Sequence, residues 1–338
     1  MGRASALWEP VPVANCANYP LGLVPLNDLG TGSYNPAAGS PHQGGLYANG
    51  SNYRLLGHER LGREAAMQME PLDPLGNPAS NGMVGFVALG HSIGKRIFDQ
   101  MLLQMNSDPD KWPLMKPVNA CVAGRDAIDL SSLTNPYWTT EVPAALTAAN
   151  ITAKQVQVVW MMSGVQSPQY AWPANVPWLR DLMITCVQNA KAYFPNLKQL
   201  WLSVPHYEGY KLAPPSREPW TYESGFAVKD LIELQTQGDD SLNFHNPNKP
   251  ILAPWVSWGG YFWTDGAVAR TTDGLYLTCP SDMLNDGVHT SVTGSAKLAA
   301  YLLGNMKADA CCYPWYMGIS LPDNELPSSP GITGTLGH

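Results

Sequence analysis

Charge is what this sequence has least of. Its 338 residues hold 20 Lys and Arg and 27 Asp and Glu, so 14% are charged, against about 25% in an average soluble chain. That excludes a coiled coil or helical bundle, and the 31 Gly and 30 Pro interrupt long helices in any case. The basic residues are scattered and the net charge is −7. With no basic stripe to neutralise phosphates, nucleic acid is not an expected partner. Long apolar runs are missing as well: 83–90 and 297–306, the most apolar stretches, fall short of the ~18 residues a membrane span requires. Residues 1–20 break at Glu9, Pro10 and Pro12 and hold no signal-peptide core, as expected of a chain never exported or of a mature form.

Cysteine is sparse. Cys16, Cys121, Cys186, Cys279, Cys311 and Cys312 show no CxxC or Cys/His ligand spacing, so no metal is expected. His58 and Glu59 form no HExxH motif and no GxGxxG occurs, which removes metalloprotease chemistry and a dinucleotide cofactor. No cofactor of any kind is expected. The even cysteine count, low charge and abundant Trp, Pro and Asn point to a secreted or periplasmic protein with some disulfides. Cys279 is near enough in sequence to reach Cys311 or Cys312, whereas those two neighbours would strain the peptide between them.

What is abundant is apolar and aromatic: 45% of residues are hydrophobic, including 12 Trp, 15 Tyr and 6 Phe, enough to bury a core and exclude disorder. The first eighty residues are dense in turn formers and read as ordered loop. From residue 84 short apolar runs alternate with helical periodicity. Strands are expected at 84–90, 118–122, 155–162, 197–204 and 250–255. The helices have stripes running from Ile93 to Met105 and from Leu179 to Phe194, with others at 223–234 and 291–306. Such alternation predicts an α/β three-layer sandwich with a central parallel sheet and helices on both faces. A loop-rich extension (1–83), a catalytic-type domain (84–317) and a Pro/Gly/Ser-rich tail (318–338) divide the chain.

In a parallel sheet, reactive groups gather beyond the carboxyl ends of the strands. Ser92 stands where the first strand meets its helix. There a helix N-terminus favours negative charge, although serine is also a preferred N-cap. Asp286 and His289, three apart in NDGVHTSVTG, let one turn present a carboxylate to Nδ1 and leave Nε2 free for a serine proton. The three together make a nucleophile, base and orienter. His206 and Tyr207, just past the fourth strand, are candidates to line the crevice. So is Trp258, in the run Trp255, Trp258, Tyr261, Phe262, Trp263, which reads either as a sugar or aryl platform or as core.

The order of these blocks resembles the SGNH (GDSL-type) hydrolases. Gly90, His91, Ser92 stand where that family has Gly, Asp, Ser; Gly124 in NACVAGRDA matches the second block; Gly164, Val165, Gln166, Ser167 stand where it has Gly, any residue, Asn, Asp; and DGVHTSVTG is similar to its last block. More narrowly, NDLGTGSY, GGLYANGSN, EPWTYESGFAVK and WGGYFWTDG look like a secreted bacterial SGNH-like branch. The resemblance implies a flavodoxin-like sheet and a serine ester hydrolase with Ser92 as nucleophile, His289 as base and Asp286 as orienter. The oxyanion would be held by backbone N–H groups of Ser92 and Gly124 and by Gln166, whose amide sits on a longer stem than Asn. Its expected substrates are carbohydrate acetyl, aryl or polyester bonds, with His91, His206, Tyr207 and Trp258 as substrate contacts. The alternative is an SGNH-like carbohydrate-binding or surface protein whose activity has decayed, for which the changes at His91 and Gln166 speak.

Overall fold

The computed structural model describes residues 14–34, 41–162, 164–211 and 217–319. Its centre is a five-stranded sheet: β1 (Val84–Gly90), β2 (Met115–Asn119), β3 (Val156–Met162), β4 (Gln199–Val204) and β5 (Trp255–Tyr261). Every residue of β1, β3, β4 and β5 is buried, as near-continuous apolar runs require when both faces of a parallel sheet are covered. All pairs are parallel and the order is β2-β1-β3-β4-β5. Successive strands run outward in opposite directions from β1, so the carboxyl ends of β1 and β3 flank a topological switch point.

The main helices are α1 (Leu56–Met67), α2 (Ser92–Ser107), α3 (Val142–Ala148), α4 (Asn175–Tyr193), α5 (Trp220–Gln237) and α6 (Val292–Ala308). One layer has α2 packed along α6, and the other has α4 packed along α5. The result is the α/β three-layer sandwich that the alternating pattern predicts. The stripe of α2 buries Ile93, Ile97, Phe98, Met101 and Met105, which fixes the rotation of the helix and therefore the direction its first residue, Ser92, faces.

Three local expectations need correcting. The second strand lies at Met115–Asn119, earlier than 118–122; it is a sheet edge that tolerates Lys116 and Pro117, because the missing proline N–H costs no ladder bond there. The last strand starts at Trp255, not Pro250, since Pro250 and Pro254 cannot donate and the ladder begins at the first residue past them. Within the segment read as loop, residues 56–67 form α1. Its buried face is His58, Glu59, Gly62 and Ala66, a set with no apolar period to read.

The aromatic run is core. Trp255, Trp258, Tyr261, Phe262 and Trp263 are all fully buried, and each indole N–H has an acceptor: Trp255 bonds the His58 carbonyl at 2.9 Å, Trp258 the Leu46 carbonyl at 2.7 Å and Trp263 the Glu218 carboxyl at 3.1 Å. Two of those acceptors belong to the N-terminal segment, which is thereby laced along β5. His58 Nε2 bonds Val256 O, Tyr47 Oη bonds Ser257 Oγ, and Arg54 forms a buried 2.7 Å ion pair with Asp309.

Cysteine pairing also differs from expectation. Cys279 is bonded to Cys16, 263 residues away, while Cys121, Cys186, Cys311 and Cys312 are free and buried. Cys311 instead packs against α1, its thiol near the Glu59 carbonyl. Almost all of the tail at 318–338 lies outside the described residues.

The loop after β5 is organised by Arg270, which pairs with Asp273 through Nε (2.8 Å) and Nη2 (2.5 Å) and donates Nη1 to Tyr261 O (2.6 Å). Both side chains are 0% exposed. Arg270→Met strands the Asp273 carboxylate and is expected to cost about 3–5 kcal/mol, measured by denaturant unfolding. A variant as stable as the parent protein would contradict this role.

Candidate active site

Four of the five strand ends and one later turn converge on the crevice. Ser92 opens α2 directly after β1, and its Oγ lies 2.8 Å from His289 Nε2. His289 Nδ1 lies 2.7 Å from Asp286 Oδ2. The ring therefore bridges hydroxyl and carboxylate, with the Nδ1–H on the carboxylate side and the free lone pair toward serine.

The turn that carries Asp286 and His289 is held from several sides. Asp286 Oδ1 accepts the N–H groups of Val288 and His289, each at 2.9 Å. The Leu284 N–H donates to His289 O (2.8 Å), and Arg96 Nε on α2 donates to Thr290 O (2.7 Å). Gly287 sits at φ +68°, and a Cβ there would lie 2.3 Å from the Tyr210 carbonyl oxygen, so this turn position admits only glycine. Burial works against the Asp286 carboxylate. The two backbone N–H groups and the imidazole outweigh it and hold the carboxyl below its usual range, which keeps it an acceptor for Nδ1–H.

His91, the residue before Ser92, lines a cavity of about 40 Å³ whose other walls include Gly124, Gln166, Glu208 and Arg217. The backbone N–H groups of Ser92 and Gly124 make no hydrogen bond among the described residues. Ser92 is the first helical residue, where such a donor has no intrahelical partner. Gly124, at φ +79° with open space around its Cβ position, has the left-handed conformation that glycine adopts without strain. Gln166 is drawn to this wall: Asp126 Oδ2 accepts its backbone N–H (3.1 Å), and its Nε2 donates to Gly124 O (3.2 Å).

The other expected contacts fall differently. Trp258 lies within β5, fully buried and committed to Leu46, so it presents no surface to a ligand. Tyr207 is buried with its hydroxyl on the Asn18 carbonyl. His206 is buried too, but its Nε2 bonds Val288 O at 3.0 Å, so it supports the His289 turn from beneath. Sequence reasoning missed Arg217 and Glu208, which pair at 2.8 Å, and Glu218, whose carboxyl accepts N–H groups from Glu208, Tyr222 and Trp263. No motif marks these three. Asp126 was missed too, although the Asp126–Asp129 spacing is a signal: the two form a capping box on residues Ala127–Leu130. Among the described residues no cluster of three or more His, Cys, Asp or Glu has metal-site geometry.

Burial dominates the titration of this region. It lowers His58 and His206 to about 4 and His91 to about 3, and raises Glu208 to about 7 and Glu218 to about 8. Unfolded histidine titrates near about 6.5. As pH drops below that, the unfolded chain gains protons that the folded rings refuse, and stability falls. The two carboxyls act oppositely: the folded state holds their protons to higher pH, so stability falls as pH rises from about 4.5 to 8. The opposing slopes largely cancel up to about pH 6.5, beyond which only the carboxyls act. Thermal melts should thus show a broad maximum near about pH 6, with an alkaline decline that Glu218→Gln flattens. A melting temperature still climbing at pH 8 would contradict this assignment.

No protein-family model and no curated protein matches this sequence. Among solved structures, the chain is similar to an acetyl xylan esterase, AlAXEase, at 14% identity and a TM-score of 0.32, over 64% of this chain and 96% of that one.

Proposed function

We propose that the protein is a serine ester hydrolase of the SGNH type. The observation that carries this reading is the unbroken relay Ser92 Oγ, His289, Asp286, at 2.8 and 2.7 Å, placed at the switch-point end of the sheet beside two unspent backbone N–H groups. Ser92 Oγ attacks the acyl carbon while His289 Nε2 takes its proton. The tetrahedral oxyanion is met by the N–H groups of Ser92 and Gly124, with the remaining amide N–H of Gln166 as a third donor. Collapse breaks the bond to the alcohol oxygen, which leaves with the proton from His289. Water then attacks the acyl-enzyme, gives its proton to His289 and releases the acid, after which Ser92 recovers its proton.

Acetyl esters of carbohydrates, or aryl esters, are the substrates that the SGNH resemblance suggests. The Cys16–Cys279 disulfide accords with an exported protein, and no described helix is long and apolar enough to cross a membrane. A decayed carbohydrate-binding protein is the weaker reading, because the aromatic run that would form its platform is buried.

Hydrolysis of a chromogenic acetate ester tests the proposal. Ser92→Ala should reduce turnover to background, and His289→Ala and Asp286→Ala should each cost on the order of 10³ or more. The double variant should be little worse than the more severe single one, as for residues that act as a unit. Multiplicative losses, or an active Ser92→Ala protein, would sink the relay. Gln166→Ala should lower kcat by about 10²-fold at nearly constant KM; a change under about twofold would remove Gln166 from the oxyanion site.

A further inference from the structure

His91 immediately precedes the nucleophile, and the relay has no use for it. Its conformation is nevertheless closely determined. As the N-cap of α2, it accepts the Ile93 backbone N–H at Nδ1, at 3.3 Å. A nitrogen that accepts an N–H carries no proton of its own, so the neutral ring is fixed as the tautomer protonated at Nε2. The Nε2 end reaches toward the turn after β3, 3.8 Å from where a Cβ of Gly164 would stand. His91 also walls the same small cavity as Gly124 and Gln166. Among the described residues the only hydrogen bond of the ring is the one at Nδ1, so Nε2–H has no acceptor there.

Capping therefore explains one ring nitrogen and leaves the other as an oriented, unspent donor on the oxyanion side of Ser92. We propose that His91 is a catalytic residue whose Nε2–H donates a hydrogen bond to the developing oxyanion, an inference that rests on the esterase reading above. No proton is transferred in this contact. Nor does His91 compete with His289 as a base, because Nδ1 is occupied by the Ile93 N–H and Nε2 already holds its proton. Burial, and next the Arg217 guanidinium anchored by Glu208, oppose protonation of the ring, so it stays a neutral donor throughout the working pH range. Gln166 is the less constrained donor of the two: its side chain is exposed and one of its N–H groups is spent on Gly124 O. A rigid ring aimed by the helix cap costs less reorganisation as charge develops.

The test compares His91→Asn with His91→Ala on a chromogenic acetate ester. Asparagine is a good N-cap but its amide is too short to reach the Nε2 position, whereas alanine neither caps nor donates. Both variants should lose about 10²- to 10³-fold in kcat with KM within about twofold. Only the alanine variant should melt at a lower temperature. A purely structural His91 predicts the same melting difference but a fully active asparagine variant, and that result would overturn the proposal while leaving the esterase reading intact. A parent protein with neither turnover nor reaction at Ser92 would overturn both. As an independent readout, 15N spectra of the imidazoles should show His91 protonated at Nε2, with that proton shifting when a boronate adduct forms. A ring protonated at Nδ1, or one indifferent to the adduct, would also overturn it.

Discussion

Four tryptophans lie within the parallel sheet, and none of their indole N–H groups can be left unpaired in so dry an interior. Trp160 finds Ser203 Oγ on the neighbouring strand, and Trp201 finds Gln199 Oε1 on its own. Trp255 and Trp258 find no acceptor inside the sheet and take carbonyls of His58 and Leu46. That need binds the turn-rich N-terminal segment to the outer edge of β5 and covers an edge that would otherwise offer unpaired backbone groups to another chain. The same segment brings Asn15 and Asn18 to Tyr210 and Tyr207, beneath the turn that carries His289. The scaffold of the site is thus a consequence of how the sheet satisfies its aromatic core.

Within this frame the site divides into rigid and adjustable parts. Ser92 is fixed by the buried stripe of α2, and His289 by a turn whose carboxylate, carbonyls and glycine are all committed. The opposite wall is built differently. Arg217 pairs with Glu208, and Glu218, beside Glu208, accepts backbone and indole N–H groups; both carboxyls retain their protons to unusually high pH. After burial, the Arg217 guanidinium is the next influence that keeps the His91 imidazole from carrying charge near His289.

Much of this was legible in the sequence. The apolar runs of β1, β3 and β4, the stripe of α2 and the pairing of Asp286 with His289 are all written in local spacing, because each obeys a short period or sits in one turn. The remainder depended on contacts distant in the chain. Helix α1 buries His58 against Val256 and Trp255, some two hundred residues away, and pairs Glu59 with Arg63 one turn on, so no amphipathic pattern marks it. Cys279 found Cys16 rather than its nearer neighbours, since proximity in sequence says little about loops that close over a sheet. Trp258 was ambiguous between platform and core until its acceptor was known, and Arg217 carries no motif at all.

The central claim is that Ser92 is an activated nucleophile, and reaction with a serine-directed fluorophosphonate followed by peptide mapping tests it most directly. The account predicts one adduct per molecule, on Ser92, formed by the folded protein and not by protein denatured before the reagent is added. A folded protein that takes up no reagent, or takes it up at another serine with Ser92 unmodified, would contradict it.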